Sequence, residues 1–581
     1  MPPLDNFSST DRALFYQYGL GPSRAVSTPV VHHAFQQHAA TRPDAIAVEH
    51  RCALYDESIT YGELDQVSDQ LAHILRALPA PIVPGTRVCV LARRSVAFVA
   101  AILATLKAGA QYVPLDAQTI TDETLGFIIG DANPSVVLSM AEYLHRVPSG
   151  RVPVLSIETE MERGAAARPG GGKVEDLSGP ADGAYCIYTS GTTGRPKGVD
   201  VRHRGIANVL SGSPGNVGMA PGLRVAQLLN IAFDMGAWEI LGALYNGATL
   251  CLRGNTSREW KTLMRTVNVV IATPSILSVH DPADYPLLQS VIVKKGINTW
   301  FSTGRQMGTS HFVLQLLWSY RNLHMQYRNP SAHSRDPMST KPAPIGGVGC
   351  MWVGGVGVSG GYLNMEEKTR ERWRPDPFVG GPSSDDAESG DQWAKKQNGE
   401  WARPMMFNTG DLGRWRKDGQ LEHMGRADDQ VKVKGFRVEL DGVAMAMRTH
   451  APVHNAVALL INNALWGFVT PANVSLSAVR AGTARSQPSY AVPTLDHFMA
   501  LEEFPMTRNG KVDKRELHAI VERASKGEPE ASETRSTKHE IMELPTEPPK
   551  PTVVPCQMIP HPIDSQFVLE EPLKMVSVDL A

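Results

Sequence analysis

Between residues 59 and 116 the apolar positions switch repeatedly between two periods. Residues 64–78 carry apolar side chains at helical spacing, 87–92 form a short continuous apolar run, and 96–108 return to helical spacing. The same alternation recurs from 224–229, a strand, through a helix at 238–244, to a strand at 249–252. Strand-length runs that alternate with helix-length patterns predict βαβ units and a largely parallel sheet. Residues 184–188 (Ala-Tyr-Cys-Ile-Tyr) read as a further buried strand. Residues 377–400, rich in Gly, Pro, Ser and Asp, read as a surface insertion. Around 425–440 the texture becomes charged and hinge-like, and a smaller α+β region follows to about 520. Beyond 526 the chain is rich in Glu, Lys, Thr and Pro without periodicity, which predicts a mostly disordered tail.

At 581 residues the chain is long for one core, which implies two or more domains. A formal net charge of −2 and 20% charged residues give no basic footprint for nucleic acid. No apolar run approaches the ~20 residues needed to span a membrane. Residues 1–24 lack the basic-then-apolar pattern of a secretory signal. The six cysteines follow no metal-ligand spacing, so no metal site is expected from them, and they read as reduced thiols of a cytoplasmic protein.

The densest chemical signal is residues 188–198, Tyr-Thr-Ser-Gly-Thr-Thr-Gly-Arg-Pro-Lys-Gly. Gly191, Gly194 and Gly198 allow the backbone to turn its N–H groups toward an anion. Thr189, Ser190, Thr192 and Thr193 add hydroxyl donors, and Lys197 adds a positive charge. The loop leaves a strand end, where α/β proteins bind phosphates. It is not a Walker loop, because Lys197 follows Pro196 and no Gly-Lys-Ser/Thr ending is present.

This string resembles the signature of the adenylate-forming (AMP-binding) enzymes, and the order of further segments resembles nonribosomal peptide synthetase adenylation domains. Residues 59–64 (Ile-Thr-Tyr-Gly-Glu-Leu) and 106–116 (Leu-Lys-Ala-Gly-Ala-Gln-Tyr-Val-Pro-Leu-Asp) look like the first two core motifs, both scaffold-building. The resemblance implies an α/β fold: a large N-terminal core at 31–424 with mostly parallel sheets flanked by helices, after an extension at 1–30. A small α+β lid domain at 425–525 and a tail at 526–581 complete the expected order. It further implies that Thr189, Ser190, Gly191, Thr192, Thr193, Gly194 and Lys197 wrap the β- and γ-phosphates of ATP. Asp411, in Asn-Thr-Gly-Asp-Leu, matches the aspartate that takes both ribose hydroxyls. Arg426 would approach the ribose and phosphates, and Asp428 would be the hinge between domains. Lys511, in Pro-Met-Thr-Arg-Asn-Gly-Lys, would be the catalytic lysine that stabilises charge at the α-phosphate.

For the substrate, Asp234 in Phe-Asp-Met-Gly-Ala-Trp-Glu resembles the aspartate that holds an amino acid's α-ammonium; a helix N-cap is the alternative reading. Met235, Trp238 and Ala272 match pocket-lining positions. The implied cofactors are ATP and Mg²⁺. The implied partners are an amino-acid substrate and a separate phosphopantetheinyl carrier, whose Gly-Gly-His/Asp-Ser signature this sequence lacks.

Between residues 293 and 344 the resemblance breaks. The expected Asn-x-Tyr-Gly-Pro-Thr-Glu, which stacks on adenine and places a glutamate near Mg²⁺, is absent. Plausible codons for 314–322, read one base out of frame, spell Cys-Asn-Cys-Tyr-Gly-Pro-Thr-Glu, and the in-frame pattern resumes near 337–339. Gly360 also stands where the family has an arginine. Three functions therefore follow as alternatives: an amino-acid adenylating enzyme, an impaired remnant of one, or an acyl-CoA ligase, which Asp234 disfavours.

Overall fold

The computed structural model describes most of residues 7–526, apart from 20–24, 81, 151, 167–171, 190–194, 213–214, 273, 278–279, 294–321, 328–341, 380–400, 402, 428–429, 434–435, 451 and 507–511, and it also describes 574–576. By its contacts the chain forms two compact units, Met1–Glu502 with Leu573–Ala581, and Glu503–Pro572.

Two sheets dominate the first unit. A six-stranded sheet runs Val154–Ser156, Val136–Ser139, Arg87–Ala92, Gln111–Asp116, Gly183–Thr189, Lys197–Arg202 in spatial order, and only the last strand is antiparallel to its neighbour. A seven-stranded sheet runs Asp56–Thr60, Ile46–Arg51, Thr249–Leu252, Arg224–Gln227, Val269–Ala272, Ser290–Val293, Lys574–Val576, with only the first strand antiparallel. The parallel α/β core expected from the alternating pattern is present. Within the tail, the short segment Lys574–Val576 pairs with the strand Ser290–Val293.

Strand residues alternate between two cores. Val88 and Val90 face the main cluster, which also takes Val48, Val225 and Leu250 from the other sheet, while Cys89 and Leu91 face a separate cluster with Leu125 and Ile129. On the seven-stranded sheet, Ala226, Cys251 and Val270 face a third cluster. Helices Val31–Thr41, Tyr61–Arg76, Val96–Lys107, His203–Ser211 and Asp234–Tyr245 contribute to the main cluster between the sheets. Both faces of each sheet are thus covered, which explains why the strands read as continuous apolar runs rather than alternating ones.

The first core motif is a helix start. Thr60 caps Tyr61–Arg76 by accepting from the Glu63 backbone N–H at 3.2 Å, and the Glu63 carboxylate accepts from the Thr60 N–H at 2.9 Å. This box begins the helix at 61, earlier than the apolar spacing from 64 indicated. Tyr61 donates from its hydroxyl to the Ala248 carbonyl at 2.8 Å, which ties the helix to the entry of the strand Thr249–Leu252. A Cβ at Gly62 would lie 3.0 Å from that of Pro43.

In the second core motif, Lys107 ends the helix Val96–Lys107 with a fully buried side chain. Its ammonium meets Asp65 Oδ1 at 2.6 Å and Asp69 Oδ1 at 3.0 Å, and donates to the Asp65 carbonyl at 2.8 Å.

The remainder of the first unit holds an antiparallel sheet built on the long strand Met405–Trp415, a two-stranded ribbon of Gln430–Val433 and Phe436–Glu439, and a three-stranded sheet of Asn455–Ile461, Ala464–Thr470 and Phe498–Ala500. The second unit contains the helix Lys514–Lys526, whose first-turn N–H groups at Arg515 and Glu516 reach Asp513 Oδ1 at 3.0 and 3.3 Å.

Removing one partner of a buried ion cluster leaves uncompensated charge, at a cost of about 3–5 kcal/mol. Lys107→Met is therefore expected to lower the apparent melting temperature and urea midpoint strongly, while Lys173→Met, at an exposed lysine, leaves both near the parent values.

Candidate active site

The phosphate-type loop is the connection of a hairpin. Thr189 pairs with Lys197 and Tyr188 with Gly198 across the strands Gly183–Thr189 and Lys197–Arg202. Ser190, Gly191, Thr192, Thr193 and Gly194 lie outside the described residues. The hairpin base is fixed from outside by the Tyr188 hydroxyl, which donates to Asp131 Oδ2 at 2.7 Å. Gly198 is required by packing, since a Cβ there would lie 2.9 Å from both Cys186 Sγ and the Tyr188 ring. Lys197 is buried; its ammonium lies 3.9 Å from Glu439 Oε1 and 5.1 Å from the Tyr362 ring centroid.

From Glu439 a chain of side chains leads to the expected ribose-binding aspartate. Gln430 donates from Nε2 to Glu439 Oε1 at 2.5 Å, and accepts at Oε1 from Arg426 Nη2 at 2.8 Å. Arg426 donates from Nη1 to Asp411 Oδ1 at 2.7 Å and from Nη2 to the Thr409 carbonyl at 3.1 Å. Asp411 is held in turn by its backbone N–H on Thr409 Oγ1 at 3.1 Å, within a Met405–Trp415 strand that carries left-handed Gly410. Lys197, Asp411 and Arg426 therefore belong to one connected polar array, in which each cation faces a protein carboxylate. Asp428 and Lys511 lie outside the described residues.

Asp234 opens the helix Asp234–Tyr245, but the N-cap position is Phe233, so the N-cap alternative does not describe it. Its Oδ1 accepts from the Met235 N–H at 2.9 Å, and the carboxylate sits favourably in the first helical turn. Gly236 lets that turn close, because a Cβ would fall 2.2 Å from the Asn230 carbonyl oxygen. Met235 packs against the main core, and Ala272 is buried at the end of its strand. Trp238 is wholly buried in the main cluster and donates from its indole to the Gly215 carbonyl at 2.8 Å. Beside Asp234, the Phe233 ring meets Phe436 edge-on at 5.7 Å, and Phe436 stacks on Tyr490 at 4.0 Å.

Behind this turn lies a buried polar network that joins the ends of strands from both sheets. Glu239 accepts at Oε1 from the Leu228 N–H at 3.0 Å and at Oε2 from Gln227 Nε2 at 2.8 Å and the Leu229 N–H at 3.1 Å. Arg94 donates to Gln227 Oε1 and, at 2.7 Å, to the Leu229 carbonyl; Arg253 donates to the Leu228 carbonyl at 2.8 Å. Asn230 donates to Asp116 Oδ2 at 2.8 Å. Burial pushes the Glu239 carboxyl up to about 8 against the pull of those N–H donors. Burial likewise lowers Arg94 to about 10 and Arg253 to about 9.

The AMP-binding enzyme family matches residues 35–290. The chain is 42% identical over 538 residues to "Adenylate-forming reductase 06235" of Coprinopsis cinerea, a match covering 89% of this chain and 49% of that protein. The chain carries an adenylate-forming, AMP-binding domain. It spans about half the length of the curated reductases that it matches. It is also 30% identical over 501 residues to "Nonribosomal peptide synthetase sirP" of Leptosphaeria maculans, a match covering 83% of this chain and 21% of that protein. In fold it resembles the NpsA-ThdA artificially fused Adenylation-PCP di-domain from Klebsiella oxytoca, with a TM-score of 0.62 and 20% identity over 86% of this chain and 97% of that chain. The resemblance to nonribosomal peptide synthetase adenylation domains drawn from the motifs is thereby supported. No helix among the described residues is long and apolar enough to cross a membrane.

Sequence motifs pointed to Lys197, Asp411 and Arg426, but not to the side chains that connect them. Gln430, Phe436 and Glu439 lie inside the hinge motif, where they carried no assigned role, and Tyr490 has no motif around it at all.

A carboxyl whose folded pKa is raised from 4.5 to about 8 stabilises the fold fully below about 4.5 and loses that contribution as pH rises through about 8. Glu239→Gln cannot ionise, so its melting temperature is expected to fall less steeply than the parent's between pH about 5 and 8. Parallel melting profiles of the two proteins over that range check the assignment.

Proposed function

We propose that this adenylate-forming chain activates an amino acid, with ATP, as an aminoacyl-adenylate. The observation that carries the reading is the polar array that joins the phosphate-loop lysine to the ribose motif through Glu439, Gln430 and Arg426. Its charges fit a nucleotide: Lys197 and Arg426 now face Glu439 and Asp411, and phosphate oxygens can take the place of those carboxylates as counter-charge. Asp411 supplies two acceptor oxygens suited to a ribose diol. In the reaction a substrate carboxylate oxygen bonds to the α-phosphorus, the bond to the β-phosphate oxygen breaks, and pyrophosphate leaves.

Asp234 supports an amino acid as the acid activated. It presents a half-buried carboxylate at a helix start beside the Phe233–Phe436–Tyr490 rings, a setting suited to an ammonium. Met235 and Ala272 would lie along the pocket; Trp238, buried in the core, would shape its wall from behind. Lys511 would supply the transition-state charge, Asp428 the hinge, and residues 425–525 the lid. Mg²⁺ would neutralise the phosphates, but the family's glutamate for it has no counterpart in this sequence. Release of the acyl group to a phosphopantetheinyl carrier, or its reduction as the relatives' name suggests, would need further protein, and a cytoplasmic setting suits either.

A second reading rests on one specific observation. The expected Asn-x-Tyr-Gly-Pro-Thr-Glu is absent between 293 and 344, so the chain as written would be an impaired adenylation domain that binds nucleotide with little turnover.

ATP–pyrophosphate exchange by the full chain, with a panel of amino, aryl and fatty acids, separates these readings. Exchange is expected with a narrow set of amino acids, to fall at least about 100-fold in Lys197→Ala and Lys511→Ala, and to show a raised KM for the amino acid in Asp234→Ala. Folded protein with no exchange for any acid would rule out the active-enzyme reading, and exchange with aryl or fatty acids alone would favour an acyl-CoA ligase.

A further inference from the structure

Away from the polar array, three side chains converge where the helix Val31–Thr41 meets the segment that enters the phosphate-loop hairpin. His32 and His33 stand in the first turn of the helix Val31–Thr41, and Asp176 lies on the connection before the strand Gly183–Thr189. One nitrogen from each histidine and one carboxylate oxygen all lie within 4.8 Å of one another. His33 Nε2 is hydrogen-bonded to Asp176 Oδ2, and His32 Nε2 lies 3.5 Å from Asp176 Oδ1. His32 is 1% exposed; its Nδ1 has no hydrogen-bond partner, and its Nε2 has only the long approach to Asp176. That is an expensive arrangement for a polar ring, and each such buried group calls for an explanation.

The surroundings leave that ring little else to do. It packs edge-on against His33 at 4.8 Å and His203 at 5.6 Å, while His203 Nδ1 already accepts from the Val31 N–H at 3.3 Å. Lys107 is close enough to act on His32 electrostatically, but its charge is balanced by Asp65 and Asp69. His33 and Asp176 are each about one-third exposed, so an ion could enter from solvent without opening the core.

We propose that His32, His33 and Asp176 form a binding site for a divalent first-row transition metal, Zn²⁺ foremost. Two imidazoles and a carboxylate are a zinc-type donor set, whereas Ca²⁺ and Mg²⁺ take oxygen shells. Ligand atoms around a four-coordinate Zn²⁺ stand about 3.3 Å apart, so the cluster needs only a modest contraction, and Asp176 sits on a connecting segment able to make it. The bound metal would staple the helix Val31–Thr41 to the entry of the phosphate-loop hairpin. This role is independent of which acid the chain activates. The two parts of the site are 143 residues apart in sequence, so motif spacing could not reveal it.

The untagged full chain, stripped with chelator and titrated with Zn²⁺, is expected to bind one ion per chain in equilibrium dialysis with metal analysis, and to melt at a higher temperature when loaded. Mg²⁺ should give no such shift. His33→Ala and Asp176→Asn, both at partly exposed positions, should weaken Zn²⁺ binding by more than the 10–100-fold typical of losing an outer-shell partner and abolish the thermal shift. On the unmutated chain, Zn²⁺ should protect His33 from diethylpyrocarbonate, mapped by mass spectrometry. No stoichiometric ion, equal affinity in parent and variants, or unchanged His33 labelling would each overturn the proposal.

Discussion

A buried ammonium without an anion costs several kcal/mol, and much of the arrangement around the hairpin follows from meeting that demand at Lys197. The strand pairing of Thr189 with Lys197 drives the lysine into the protein rather than toward solvent. Glu439 supplies the answering charge, and Glu439 is itself buried, so it in turn needs a donor and takes one from Gln430. Gln430 then requires a donor for its carbonyl and obtains it from Arg426, whose remaining charge is met by Asp411. Each link adds a partner to a buried or half-buried polar group in the one before it.

The same logic fixes the turn that presents Asp234. Glu239 is fully buried in the helix that Asp234 begins, and it closes the backbone of 228 and 229 by accepting their N–H groups. Arg94 from the end of one sheet and Arg253 from the end of the other grip the carbonyls of Leu229 and Leu228. The two sheets are therefore joined where their parallel strands end, which is where α/β proteins place ligands. Gly236 admits the Asn230 carbonyl that a larger residue would exclude, so the position of Phe233 and Asp234 is dictated by packing and polar satisfaction behind them.

The scaffold was legible in the sequence where local rules decide it. The strands at 87–92 and 249–252 coincide with their apolar runs, because both faces of those sheets are covered and no alternation dilutes the signal. The helix beginning at Tyr61 was read late, since its first turn is set by the Thr60–Glu63 capping box rather than by apolar spacing. Among candidate site residues, motif order led to Lys197, Asp411, Arg426 and Asp234. Glu439, Gln430 and Tyr490 stayed unreadable because their roles arise from contacts across the fold. His32, His33 and Asp176 were equally silent, for the same reason.

Between 293 and 344 the sequence departs from the family's motif order. The main hydrophobic cluster draws its members from residues 31–292, and the clusters on the outer faces of the two parallel sheets use residues 89–186 and 226–291. Among the described residues, none of the three takes a buried member from 294–344. What the family places there is instead an adenine platform and a metal-binding glutamate, groups that act on ligand and contribute little to packing. On the impaired-domain reading, such a change would separate folding from turnover. The phosphate-loop hairpin, the Lys197–Asp411 array and the Asp234 turn can all persist while the step that needs the missing carboxylate slows, and nucleotide binding and pyrophosphate exchange measured on the same preparation would then diverge.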